Sequence, residues 1–310
     1  MKRFLACLIL LSFGVAAYAD PPHVISDDNA AQVIAQAKAL GHGTGYIPGK
    51  TKLKASFRGT FGNIPRNQWA ILVKQGQGTF LSDLIKAAGI PCKNQDGLGF
   101  CWVYASTETE ETCRLIQGQP FVSLSPESVG GPINGWRNQG GNGIDALNQL
   151  TKVGACATIF MDRPNSLSPS RWKAGWQADC ANHKIIMSVA SVDTFDDVFT
   201  ALLLRMPVSI GLDWWGHQVL LTDPVVFDNG TYGVVFRNSW GEDWPSQGAG
   251  GWSTLTERKS QPDGSFAAIN VGPQNIKPGE KPEPVSLVKF RQEYFRKLID
   301  KHMNAGACKP

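Results

Sequence analysis

The sequence predicts an α+β fold in two lobes, and three observations support this. Helical signals gather before about residue 185 and strand signals after it, so the two element types are segregated along the chain. Asp228-Asn229-Gly230-Thr231 separates two β-rich runs, Val225-Val226-Phe227 and Tyr232 to Phe236, and Asn-Gly between such runs is a strong hairpin signal. With 33 glycines and 10 tryptophans in 310 residues, the chain suits a loop-rich fold plugged by large aromatics better than a helical bundle.

Lys2 and Arg3 precede an apolar run from Phe4 to Ala17, and Ala17-Tyr18-Ala19 is a small-x-small cleavage site before Asp20. Residues 1–19 therefore read as a signal peptide, and the product is expected to be secreted or periplasmic. The run is shorter than the roughly 20 residues a membrane span needs, so no membrane attachment is expected after cleavage. The composition, 42% hydrophobic and 18% charged, is that of a globular chain. The formal charge of +4 includes Lys2 and Arg3, so the exported chain is nearly neutral and a nucleic-acid partner is not expected. Of 7 cysteines, Cys7 falls in the leader. Cys92, Cys101, Cys113, Cys156, Cys180 and Cys308 remain, in a compartment that favours pairing. None stands in a C-x-x-C pair or with zinc-ligand spacing, so neither a metal nor a cofactor is expected.

Residues 20–78 read as an N-terminal extension or short propeptide. It holds a helix over 29–40 capped by Ser26 and Asp27-Asp28, a loop from Gly41 to Gly49, and a short helix over 67–74. Residues 79–185 form the helical lobe. One helix carries Ser82 to Ile85 and stops near Gly89, and the next runs from Cys101 to Leu115 with Glu108, Glu110 and Glu111 toward solvent. Ile144, Leu147 and Leu150 mark a third. Residues 186–272 form the strand lobe, with further runs at 207–212 and 218–221. Asn229-Gly230-Thr231 also matches a glycosylation acceptor, but the turn explains it without sugar. A Pro/Lys/Glu linker then leads to a helical tail over 286–303, closing a 273–310 segment that packs on the body or binds a partner.

The chemistry centres on Lys93-Asn94-Gln95-Asp96-Gly97-Leu98-Gly99-Phe100-Cys101-Trp102. A thiol attacks as thiolate, and the positive end of a helix beginning at Cys101 favours that form. Gln95 can offer an amide N–H to an oxyanion beside the backbone N–H of Cys101. His217 lies among apolar strand runs, where an imidazole has no packing role, and Asn238, at a strand end, can orient it. Singly, each has a plainer reading: a buried structural Cys, a satisfied core His, a polar turn.

Together these blocks resemble the papain-like cysteine peptidase family. Lys93 to Trp102, Leu124-Ser-Pro-Glu127, Asn138-Gln-Gly-Gly141, Pro207-Val-Ser209, His217, and Asn238-Ser-Trp-Gly-Glu-Asp-Trp244 with Gly251-Trp252 occur in the family's order over about residues 80–255. The resemblance implies a helical left lobe, an antiparallel β-barrel right lobe and an active-site cleft between them. It makes Cys101 the nucleophile, His217 the base, Asn238 the orienter and Gln95 the oxyanion donor of a peptidase acting through a thioester acyl-enzyme. Gly140 and Gly141 would bind substrate backbone, and Trp240 and Trp244 would line the far side of the cleft. Peptides or proteins are the implied substrates; the oligomeric state is left open.

The departures are specific. Leu98 and Asn138 stand where the family carries a disulfide, lost as a unit. Phe100 is expected on the non-primed wall, and Trp215, beside Trp214, where relatives shape a specificity pocket. His217 follows Cys101 at a shorter interval than the roughly 130–150 residues usual in the family. Cys180 is expected to keep a left-lobe half-cystine paired with Cys156, and Cys92 to pair with Cys113. A peptide-binding scaffold without turnover and an isopeptidase of cell-wall peptides are the alternative functions.

Overall fold

In the computed structural model, residues 23–49, 53–185 and 188–270 are described. The expected signal peptide, the linker, the tail helix and Cys308 lie outside them.

The chain opens with a short strand, β1 (Val24–Ile25), and a helix, α1 (Ala30–Ala39). Asn29 ties the two together: its side chain accepts from Ser26 N–H and donates to the Val24 carbonyl. Residues 42–49 then run without regular structure to α2 (Phe57–Phe61) and α3 (Trp69–Gly76). This N-terminal part is built into the right lobe. β1 pairs in parallel with a later strand, and Ile25, Val33, Phe57 and Trp69 lie in one core cluster with Phe199, Ile210 and Phe236.

The left lobe comprises α4 (Leu81–Ala87), α5 (Cys101–Ile116), α6 (Glu127–Ile133), α7 (Gly143–Lys152) and α8 (Trp176–Asn182). After it come β2 (Ser188–Val192), α9 (Phe195–Leu203), β3 (Val208–Leu212), β4 (His217–Val226), β5 (Tyr232–Arg237), β6 (Trp252–Thr256) and β7 (Asp263–Asn270). The strands form one sheet in the order β1-β6-β5-β4-β3-β7-β2, antiparallel except at β1. The α+β segregation is as expected. Where a barrel was predicted, however, the sheet stays open among the described residues, with β1 and β2 at its edges. The hairpin falls between β4 and β5 at Asn229-Gly230, with only Gly230 at positive φ.

The largest departure concerns α5. Glu108, Glu110 and Glu111 were expected toward solvent, but all three are buried. The helix is central: α4 and α7 pack on it from one lobe, and β3, β4 and β7 from the other. Most of its polar groups are satisfied locally. Ser106, Thr107, Thr109 and Thr112 hydroxyls donate to carbonyls one turn back. Arg114 meets Glu110 at 2.7 Å, and Lys93 meets Glu111 at 2.9 Å. Glu108 keeps one oxygen without a partner, and burial raises its pKa to about 8.

No disulfide forms among the described residues. Cys92 and Cys113 do not pair, because their thiols donate to separate carbonyls, those of Asn238 and Ala268. Cys156 and Cys180 do meet, sulfur to sulfur, in a buried cluster with Trp172, but as thiols.

Candidate active site

α5 begins at Cys101, with Phe100 at its N-cap and left-handed Asp96 in the turn that leads into it. Phe100 does not face the cleft as expected. It is fully buried in the left-lobe core against Trp102, and a Cβ on Gly130 would come within 2.8 Å of its ring. Cys101 is fully buried, and the backbone N–H groups of Gln218, Gly45, Trp102 and Tyr46 nearby favour its thiolate form. Burial outweighs those four donors and pushes the thiol up to about 11.

His217 opens β4 directly after Gly216, whose positive φ makes the corner. Its Nε2 lies 2.8 Å from Asn238 Oδ1, and its Nδ1 has no hydrogen-bond partner. Trp240 lies against the imidazole with ring centroids 4.5 Å apart. Burial lowers the His217 pKa to about 4, despite the bond to Asn238. In this state both groups are neutral, a thiol and an imidazole, because desolvation penalises an ion pair. Trp215, expected on a specificity pocket, is instead buried against His217, Phe236, Trp240 and Trp244.

Gln95 is also fully buried and its amide is orientated on both sides. Its Oε1 accepts from the Ser239 hydroxyl at 2.5 Å, and its Nε2 donates to the Leu98 carbonyl at 2.5 Å. The second N–H donates to the carbonyl of Gly43 at 3.1 Å, which Trp240 Nε1 also reaches at 3.1 Å.

Gly43 belongs to a strap, residues 42–49, that fills the cleft. His42 stacks on Trp240 with centroids 4.9 Å apart. Gly141 donates to the Gly45 carbonyl at 2.8 Å, and Ile47 donates to the Gly141 carbonyl at 2.9 Å. Gly45 and Tyr46 N–H groups both point toward the Gly216 carbonyl, and the Tyr46 hydroxyl donates to Asp263 O at 2.9 Å. The fit requires glycine. A Cβ at Gly43 would stand 2.1 Å from the Leu98 carbonyl oxygen, and one at Gly45 2.2 Å from that of Gly99. Gly140 likewise leaves room for the strap, since its Cβ would meet the Gly45 carbonyl at 2.4 Å. Trp244 is buried at one end, lining a cavity with His23, Val33, Leu40 and His42.

The fold thus brings Cys101, Gln95, His217, Asn238, Trp240, Gly140 and Gly141 to one place, and takes Phe100 and Trp215 away from the cleft surface. Sequence reasoning missed the strap and Ser239. The alternating glycines at 41, 43 and 45 were the available signal, because a loop that must lie flat on another backbone favours them. Among the described residues, no group of three or more His, Cys, Asp or Glu side chains is placed to hold a metal ion. No helix among them is long and apolar enough to cross a membrane.

Two lobes meeting at a buried Cys, His and Asn define a papain-like cysteine peptidase architecture. No family model matches the chain. Curated relatives include Cysteine protease 1 of Oryza sativa, 26% identical over 225 residues, 63% of this chain and 44% of that protein. Another is Zingipain-2 of Zingiber officinale, 22% identical over 225 residues and 93% of that protein. The chain spans about half the length of the first of these relatives, 44% for Cysteine protease 1 and 53% for a senescence-specific cysteine protease of Arabidopsis thaliana. Among solved structures, xylellain, a cysteine protease from Xylella fastidiosa, superposes with a TM-score of 0.56 at 17% identity, covering 74% of this chain and 96% of its own, which speaks for the fold. The chain is thus similar in sequence to papain-like cysteine proteases and shares the fold of one of them.

Proposed function

We propose that the chain is an exported cysteine peptidase that hydrolyses peptide bonds through a thioester acyl-enzyme, and that the 42–49 strap holds it latent. The observation that carries this reading is the imidazole of His217, fixed through Nε2 by Asn238 while Nδ1 stays unpartnered in the same buried site as Cys101. With the strap displaced, water re-enters and the desolvation that keeps both groups neutral is relieved. Nδ1 takes the Cys101 proton, and the thiolate attacks a peptide carbonyl. The oxyanion then rests on the Gln95 N–H that Gly43 now occupies, beside the backbone N–H of Cys101. His217 protonates the leaving amine, and water releases the acyl group from sulfur. Gly141 would pair with substrate backbone as it does with the strap, Gly140 would leave room beside it, and Trp240 and Trp244 would bound the far side. Removal of residues 1–19 leaves a chain beginning at Asp20, which N-terminal sequencing of the exported protein would read.

The test uses Gly45→Val, whose side chain the Gly99 carbonyl excludes. This variant should alkylate at Cys101 with iodoacetamide at least about tenfold faster than wild type, and cleave a fluorogenic peptide library that includes cell-wall peptides. Adding Cys101→Ala should abolish cleavage. Peptide binding without cleavage in any variant would make the chain a binding scaffold, and cleavage restricted to cell-wall peptides would make it an isopeptidase. Cleavage that survives Cys101→Ala would sink the assignment of the nucleophile.

A further inference from the structure

The turn that carries Gln95 is tied to the nucleophile's own helix by side chains that the mechanism above does not use. Asp96 follows Gln95 and takes a left-handed backbone, φ 48°. Its carboxylate accepts from Asn165 Nδ2 at 2.6 Å, and Asn165 is itself left-handed, φ 60°. Asp and Asn are the non-glycine residues that adopt this region most readily, and here the two left-handed corners face each other across one hydrogen bond. Asn165 Oδ1 in turn lies 2.6 Å from the Tyr104 hydroxyl, which also lies 2.5 Å from Glu127 Oε1. Glu127 is buried and accepts from the Ser125 hydroxyl through its other oxygen. Tyr104 stands one turn after Cys101 on α5. The relay therefore runs from the helix that presents the thiol, through Tyr104 and Asn165, to the corner of the turn that presents the Gln95 amide.

That corner controls the amide. Asp96 N–H donates to Asn94 Oδ1 and Leu98 N–H to the Gln95 carbonyl, closing the turn, and the Leu98 carbonyl then orientates Gln95 Nε2. A shift at Asp96 moves the acceptor that aims the amide, and oxyanion stabilisation depends on donors fixed to within a fraction of an ångström. Resting on the peptidase reading, we propose that Asn165, anchored by Tyr104, is a positioning residue that registers the Gln95 amide against Cys101.

The test is kinetic, in the full chain carrying Gly45→Val. Asn165→Gly tolerates the left-handed backbone but removes the amide, and Asn165→Asp sets a like charge against Asp96. Each should lower kcat about tenfold with KM within about twofold. The rate of Cys101 alkylation by iodoacetamide, which needs no oxyanion donor, should stay within about twofold of the parent. Pairing Asn165→Asp with Asp96→Asn exchanges donor and acceptor, and should recover kcat to within about threefold. Unchanged kcat in both single variants overturns the proposal. So does a joint fall of kcat, alkylation rate and melting temperature that the exchange does not rescue, since that marks a purely structural contact. A parent that cleaves no peptide at all defeats the peptidase reading itself, and this proposal with it.

Discussion

The two lobes are held together by different physics. The right lobe has a broad apolar core, in which Trp69 stacks on Phe199 with centroids 4.0 Å apart and Tyr232 packs edge-on against both. The N-terminal residues close that core: Ile25, Phe57 and Trp69 have no exposed surface. The left lobe has a smaller apolar cluster, arranged around a helix whose second half is charged and buried. One lobe gains stability from area removed from water. The other depends on paired buried charges such as Arg114 with Glu110 and Lys93 with Glu111, so losing one partner costs more than losing the pair. The contrast shows that residues ahead of the cleft elements belong to the body of the fold: they complete the right-lobe core and also place a strap across the site.

The largest test of this contrast is Trp69→Ala, which should cost about 4 kcal/mol by emptying the aromatic cluster, read as a loss of denaturation midpoint. If the N-terminal part were only a detachable cover, that cost would be near zero. Arg114→Met should cost about 3 kcal/mol, because it leaves Glu110 buried without its partner, whereas Arg114→Met with Glu110→Leu should fall within about 1 kcal/mol of wild type. Equal losses in the single and double variants would contradict the view that pairing, not area, rules this lobe.

The pH dependence should separate the lobes by sign. Burial raises Glu108 to about 8 and Glu110 to about 7, so the folded chain keeps protons that the unfolded chain releases. Their stabilising contribution is full below the ordinary carboxylate pKa of 4.5 and is lost as pH rises through about 7 to 8. His217, lowered from 6.5 to about 4, does the opposite: its contribution is present above 6.5 and lost as pH falls through about 4. Melting temperature should therefore decline on the alkaline side, and Glu108→Gln should flatten that limb while leaving the acid limb alone. An unchanged alkaline slope in Glu108→Gln would refute the assignment.

The smallest effect is expected at Asn138. Its side chain accepts from Gly99 N–H at 2.7 Å and donates to the Gly97 carbonyl at 3.2 Å, bridging the two loops where the resembled family has a disulfide. Asn138→Ala should cost about 1 kcal/mol, because the site is exposed. A much larger loss would mean that this bridge, and not the buried charge pairs, dominates the lobe.

Much of the site was legible in the sequence. Cys101, His217 and Asn238 sit at the ends of elements and Gln95 in the loop before α5, where glycine, proline and strand signals mark position along the chain. The hairpin at Asn229-Gly230 was legible for the same reason. The glutamates of α5 were misread because their spacing on one helix face looks solvated whenever the neighbours are unknown. Phe100 and Trp215 were misread because a residue beside a catalytic position points into the cleft or into the core according to a turn of one residue, which composition does not report.

The sequence by itself determined the order of the elements and the residue types able to attack, accept a proton, orientate and donate. Those depend on short-range chemistry. Only the tertiary structure decided that α5 is enclosed on both sides, that residues 42–49 lie across Cys101, and that both groups of the site are neutral beneath them. Each of these follows from burial, and burial is set by elements that lie far apart in the chain.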